Sequence, residues 1–271
     1  NIVAGGAGKT PTALALAEML KQNGANPVFV TRGYGGREDG PLQVDPKRHT
    51  ARDVGDEALL LARSAPVWVG RNRASAVQAA EPHATHIILD DGLQNPTIVP
   101  DIAFLMVDGD VGLGNGCIIP AGPLRETLSD AMRRITAVIL IGERDEQRIA
   151  SRVSCPLLRA HMVPNLPAHF PMDQKFFAFA GIGRPKKFYD TCRKAGLTLV
   201  GTQDFPDHYM FSKTELEDLQ KQAADQGAQL LTTEKDWVRL PKKLQAKITA
   251  LPVKLAFDDP TSIMRLLNHP Q

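Results

Sequence analysis

Only three cysteines occur in the 271 residues, Cys117, Cys155 and Cys192, widely spaced and without a CxxC pair. That scarcity excludes a disulfide framework and a cysteine-built zinc site, and indicates a chain kept reduced. Charge of one sign is also lacking: 32 Lys and Arg face 30 Asp and Glu, a net charge of +2. Broad nucleic-acid binding, which needs a concentrated basic face, is therefore not expected. No stretch approaches the roughly twenty apolar residues of a membrane span, and no secretory signal, internal repeat or low-complexity segment is visible. What remains is ordinary for an enzyme: 43% hydrophobic residues suffice for a sizeable core, and 23% are charged. The length suits one large domain or two modest ones.

The strongest feature is Gly5-Gly6-Ala7-Gly8-Lys9-Thr10, close to the first residue. Glycines let backbone N–H groups close around phosphate oxygens, the lysine reaches the β/γ-phosphates, and the threonine hydroxyl can hold Mg²⁺. The run from Pro11 to Leu20 then reads as a helix, whose N-terminus is where an anion is best held. The first glycine of the usual phosphate-loop pattern is replaced by Val3. Lys-Thr directly after the last glycine still favours a nucleotide site over a plain turn, with Val3 through Thr10 as its contacts. Such a loop normally follows a buried strand, and only Asn1 to Ala4 precede it. Residues are thus expected to be missing ahead of Asn1, because an absent central strand would leave backbone groups unpaired.

Apolar, β-rich runs at 27–31, 86–90, 102–108 and 137–141 read as buried parallel strands, alternating with helices at 11–23, 56–64, 72–81 and 126–134. Alternation of this kind predicts an α/β fold, a mostly parallel P-loop-type sheet with helices on both faces and ligands at the carboxyl ends of the strands. The proline-punctuated stretch 158–170 reads as a linker between a nucleotide-binding domain, 1–157, and a smaller α/β domain, 171–271. In the latter, strands are expected at 175–180, 197–202, 228–232 and 252–257, and helices at 185–195, 212–226 and 261–268.

Several motifs lie just past strand ends. Asp90-Asp91-Gly92 follows one such strand, and paired acids there suit Mg²⁺ better than a simple Asp-Gly turn. Asp56 and Glu57 open a helix after Gly55. Acids in a first helical turn complement the dipole, so the residues alone read as structural, while a carboxylate there can also accept a substrate hydroxyl proton. Thr31-Arg32-Gly33-Tyr34-Gly35 reads equally as a ligand loop or a solvated turn. The Gly- and Pro-rich segment 112–124 suits a substrate loop, and Arg125 beyond it can stabilise transferring phosphate charge. Arg71 and Arg73 read as phosphate ligands or as solvated arginines. His208 alone reads as structural or solvated, and Thr233-Glu234-Lys235-Asp236 as a helix cap.

Taken in order, these segments resemble the tetraacyldisaccharide 4′-kinases, the lipid A 4′-kinases of Gram-negative bacteria. The matching residues are Gly5 to Pro11, Thr31 to Gly35, Val54 to Glu57, Val69 to Arg73, Asp90 to Gln94, Pro120 to Glu126, Ala180 to Gly183, Phe205 to His208 and Thr233 to Asp236. The resemblance implies ATP- and Mg²⁺-dependent phosphorylation of the 4′-hydroxyl of a lipid disaccharide 1-phosphate. It also implies two α/β domains with the site between them, and a monomer in peripheral contact with the cytoplasmic face of the inner membrane. By the same resemblance Lys9 and Thr10 hold phosphates and Mg²⁺, Asp90 and Asp91 are metal-side acids, and Asp56 is the general base with His208 as partner. Glu57, Arg125 and Glu126 belong to the same charged site, the two glutamates on the metal side. The chain departs from the family at Asn95, where a histidine is usual, and at Met210, where a second histidine is common. The competing readings are a P-loop GTPase of the switch or metallochaperone type, and a kinase of a soluble small molecule. The first lacks its guanine signature, because Lys235 sits directly beside Asp236.

Overall fold

A computed structural model describes Ile2, Val3 and residues 8–268 of the chain. Its strands are β1 (Pro27–Thr31), β2 (Leu42–Gln43), β3 (Val67–Val69), β4 (His86–Leu89), β5 (Phe104–Asp108) and β6 (Ala137–Ile141). They continue with β7 (Leu157–Pro164), β8 (Lys175–Ala180), β9 (Thr198–Asp204), β10 (Gln229–Thr233), β11 (Thr249–Leu251) and β12 (Val253–Phe257). Two sheets, ordered β2-β3-β1-β4 and β12-β7-β6-β5, form the larger α/β unit, and β11-β10-β8-β9 forms the smaller one. Pairing is parallel except at β2–β3 and β7–β12.

The sequence patterns explain the centre of each layer. In β1 and β6 every residue is buried, as expected of parallel strands covered on both faces. Ala13 and Ala17 of the helix Lys9–Gln22 pack with Phe29, Val67 and Val69 on one face, while Val28 and Val30 meet Ala76 and Ala80 on the other. Small residues on these helices let them lie close to the sheet. The smaller unit is filled by larger side chains, with Phe179 fully buried and edge-on to Phe205 and Phe211.

The linker expected at 158–170 is corrected by the structure. Residues 157–164 form β7, paired parallel to β6 and antiparallel to β12. The prolines that argued for a linker stand at or beyond its end, where no ladder is interrupted. The expected strand 252–257 is present as β12, but it joins the larger unit and not the smaller one, and the helix Lys9–Gln22 packs against it. The chain thus leaves the larger unit after β7, builds the smaller one, and returns.

Ion pairs also join the units. Asp108, at the end of β5, accepts from Arg184 and from Lys187 Nζ at 3.1 Å. Burial raises the Asp108 pKa, but hydrogen bonds and charge from Arg184 and Lys187 outweigh it and hold the carboxyl below its ordinary value. A carboxylate depressed on folding contributes stability above its unfolded pKa and loses it as pH falls through the folded one. Asp108→Asn is therefore expected to cost about 1–2 kcal/mol at neutral pH, the partners being one-third exposed. The loss should shrink below about pH 4. Urea melts at pH 7 and pH 3 check this; a pH-independent difference would remove the ion pair as its cause.

Candidate active site

The helix Lys9–Gln22 begins at Gly8, whose φ of 77° is left-handed and where a Cβ would overlap the Ile141 side chain. Only glycine meets both demands. The expected nucleotide contacts at Ala4, Gly5, Gly6 and Ala7 lie outside the described residues. Val3, expected among them, is a core residue: it is 7% exposed, packs with Leu105, Leu124 and Leu140, and bridges Leu124. A phosphate loop offers backbone N–H groups to its ligand, so burial of the Val3 side chain is compatible with the expected contact.

Lys9 and Thr10 face the acids that follow β4. Lys9 Nζ lies 3.0 Å from Asp91 Oδ1, and Arg125 Nη1 lies 3.3 Å from Asp91 Oδ2. Thr10 Oγ1 donates to Asp90 Oδ2 at 3.4 Å. Burial raises the pKa of both acids. For Asp91, Lys9 and Arg125 reverse the effect and the pKa is lowered. Asp90 is 4% exposed and faces Glu57 and Asp91, so its carboxyl is pushed up to about 7. A buried acid crowded by like charge is short of a cation. Hydroxyl and carboxylate oxygens are the donors that Mg²⁺ prefers, so this set fits that ion.

Not every expected metal-side residue joins it. Glu126 accepts from Gln94 Nε2 at 2.9 Å and from Arg134, and Glu57 pairs with Lys235 Nζ at 3.4 Å. Among the described residues no group of three or more His, Cys, Asp or Glu has metal-holding geometry. The two open arginine readings separate. Arg71 is 59% exposed on its side chain and paired with Asp39, a solvated arginine. Arg73 is buried, donates to the Gly70 carbonyl at 3.1 Å, and has no partner for Nε among the described residues. Asn95 turns its side-chain carbonyl to Thr97 N and Oγ1, at 2.8 and 2.7 Å, in a local turn.

Asp56 is the first residue of the helix Asp56–Leu61 and is 5% exposed. It is preceded by Gly55, whose φ is 85° and where a Cβ would run into the Tyr34 carbonyl. Asp56 Oδ1 accepts from Glu57 N at 2.9 Å. Oδ2 accepts from both Nε (2.7 Å) and Nη2 of Arg239, and His208 Nδ1 stands 3.2 Å from it. Burial raises the Asp56 pKa, but the His208 hydrogen bond and the charges of Arg239 and Lys235 hold it well below the usual carboxylate range. The group is ionised at neutral pH.

His208 comes from the smaller unit, with a left-handed φ of 59° and its N–H bonded to the Gly181 carbonyl. Lys235 Nζ lies 3.2 Å from its Nε2. An ammonium can only donate, so Nε2 accepts and the proton sits on Nδ1, facing Asp56. The Tyr34 ring packs edge-on against the imidazole, centroids 5.5 Å apart.

The structure thus gathers Lys9, Thr10, Asp90, Asp91 and Arg125 at one end, and Asp56 with His208 at the other. Glu57 lies between, close enough to raise Asp90. Lys235 and Arg239 had no role from the residues alone. Asp236 does receive the expected Thr233 cap, its N–H bonded to Thr233 Oγ1 at 3.0 Å. A basic residue one position before a capped aspartate, and another three positions after it, was the available signal.

Comparisons with known proteins find relatives over the whole chain. The family model described as tetraacyldisaccharide-1-P 4′-kinase matches residues 1–270. The tetraacyldisaccharide 4′-kinase of Rhodospirillum centenum is 48% identical over 271 residues, covering 98% of this chain and 80% of the relative. That of Gluconobacter oxydans is 43% identical over 271 residues, covering 99% and 83%. A crystal structure of LpxK from Aquifex aeolicus in complex with ATP superposes with a TM-score of 0.77 at 24% identity, over 99% of this chain and 85% of that one.

Proposed function

The chain belongs to the tetraacyldisaccharide-1-P 4′-kinase family, and on that premise we propose that Asp56 is the base for the sugar hydroxyl and His208 its orienting partner. The reaction is ATP-dependent phosphorylation of the 4′-hydroxyl of a tetraacyldisaccharide 1-phosphate. One observation carries the assignment: a buried, ionised carboxylate opens a helix whose next residue, Glu57, is close enough to raise the pKa of Asp90.

Asp56 Oδ2 receives three donors, whereas Oδ1 receives one among the described residues. Each carboxylate oxygen offers about two lone-pair sites; three donors crowd those of Oδ2, while Oδ1 keeps one for the substrate hydroxyl. The hydroxyl oxygen forms its bond to the γ-phosphorus, the bond from that phosphorus to the β–γ bridging oxygen breaks, and the hydroxyl proton passes to Oδ1. ADP leaves. Phosphoryl transfer needs positioning and charge stabilisation more than covalent help from the protein. Lys9 and Arg125 supply positive charge on the phosphate side, and Arg73, whose Nε has no partner among the described residues, is a third phosphate ligand. Mg²⁺ would be held by Asp90, Asp91 and Thr10, and would there neutralise phosphate charge.

The acceptor is a lipid, and among the described residues no helix is long and apolar enough to cross a membrane. On this reading the enzyme works as a monomer in peripheral contact with the cytoplasmic face of the inner membrane. The test is phosphotransfer from labelled ATP, with Mg²⁺, to the lipid disaccharide, run beside GTP and beside soluble sugars. Label is expected in the lipid with ATP; transfer from GTP alone, or equal turnover on soluble sugars, would sink the reading.

A further inference from the structure

Arg239 belongs to no phosphate or metal contact, yet its side chain is 1% exposed and reaches Asp56 from the smaller unit. Nε and Nη2 both donate to Asp56 Oδ2, and Nη1 donates to the Gly181 carbonyl and to Asp236 Oδ1, each at 2.9 Å. Asp236 is fully buried and fixed in turn by Gly181 N at 3.1 Å and Thr233 Oγ1 at 2.7 Å. We propose that Arg239 is a positioning residue for phosphoryl transfer, holding the Asp56 carboxylate in the one rotation that leaves Oδ1 open to the acceptor hydroxyl. The inference rests on Asp56 being the base.

The geometry favours this over a simple staple between units. A staple needs one contact on each side, whereas Arg239 places two donors on a single oxygen of Asp56. Without that fork, Oδ1 and Oδ2 exchange by rotation about the Cβ–Cγ bond, and the remaining donors, Glu57 N and His208 Nδ1, leave neither oxygen saturated. A buried ion pair is in any case weak support for stability alone. Lysine cannot reproduce the function, because one ammonium offers no planar fork.

The experiment uses the whole enzyme with ATP, Mg²⁺ and the lipid disaccharide, and compares the parent, Arg239→Lys, Asp56→Asn and the double variant. Arg239→Lys should melt near the parent and keep KM for ATP within about twofold, while kcat falls about tenfold or more from misplacement of the base. In the Asp56→Asn background the same change should cost less than about twofold, since the group it positions is gone. Parental kcat in Arg239→Lys, or an equal loss in both backgrounds, would overturn the proposal. Should Arg239→Lys not fold, Asp236→Asn removes the second anchor of the guanidinium and is held to the same criteria. If Asp56→Asn alone turns over like the parent, the base assignment fails first. If Asp56→Asn is inactive and Arg239→Lys is parental, only the role of Arg239 falls.

Discussion

Asp56→Asn is expected to lower kcat by about 10³-fold, within the range of lost general-base catalysis, while ATP affinity changes little. The amide is nearly isosteric, so the helix start at Gly55–Asp56 is kept. It cannot take the hydroxyl proton. It also meets donors on both sides, Arg239 and His208 at one oxygen and Glu57 N at the other. Whichever way it turns, its NH₂ group faces one of them, so some loss of stability accompanies the loss of turnover. ATP affinity is spared because Lys9, Thr10 and the Asp90–Asp91 pair do not bond to Asp56. Steady-state kinetics, equilibrium ATP binding and a thermal melt on one preparation separate the effects. Parental kcat in folded protein would remove Asp56 as the base.

Lys9→Ala should differ in kind. The lysine serves the phosphates in ground state and transition state alike, so KM for ATP should rise and kcat fall, about 10²–10³-fold together in kcat/KM. A second effect follows from its neighbours. Lys9 lies 3.0 Å from Asp91 and also draws the Asp90 pKa down. Without it Asp90, already pushed up to about 7, rises further and is less ionised at neutral pH. Raising the pKa of a metal-side acid weakens its hold on a cation, so the Mg²⁺ concentration for half-maximal rate should increase, and more so at pH 6.5 than at pH 8.5. Mg²⁺ titrations at the two pH values check this. A kcat/KM within about threefold of the parent would show that Lys9 is not a phosphate ligand.

Local chemistry was legible in the residues. The unbroken apolar runs at 27–31 and 137–141 could be buried only as covered parallel strands, and both are. Gly8-Lys9-Thr10 ahead of a helix, and Asp90-Asp91 after a strand, announce phosphate and cation chemistry because each needs only a few adjacent residues. The proline-broken stretch 158–170 misled for the same local reason. Strand pairing of β7 with β6 and β12 depends on distant partners that no window of neighbours contains.

Tertiary structure decided the rest. Asp56 and Glu57 follow the same glycine, and either could have been the base or a dipole-complementing acid. The fold turns Asp56 toward Arg239 and His208 and leaves Glu57 between Lys235 and Asp90. Val3 became core and Glu126 was drawn to Arg134 because packing and nearby charge, not chain position, set their surroundings. The sequence by itself pointed to phosphate chemistry at a helix start and to paired acids after a strand. What surrounds each carboxylate depends on contacts such as that of Arg239 with Asp56, 183 positions apart in sequence: a charge takes its environment, and on the reading proposed here its role, from what lies around it in space.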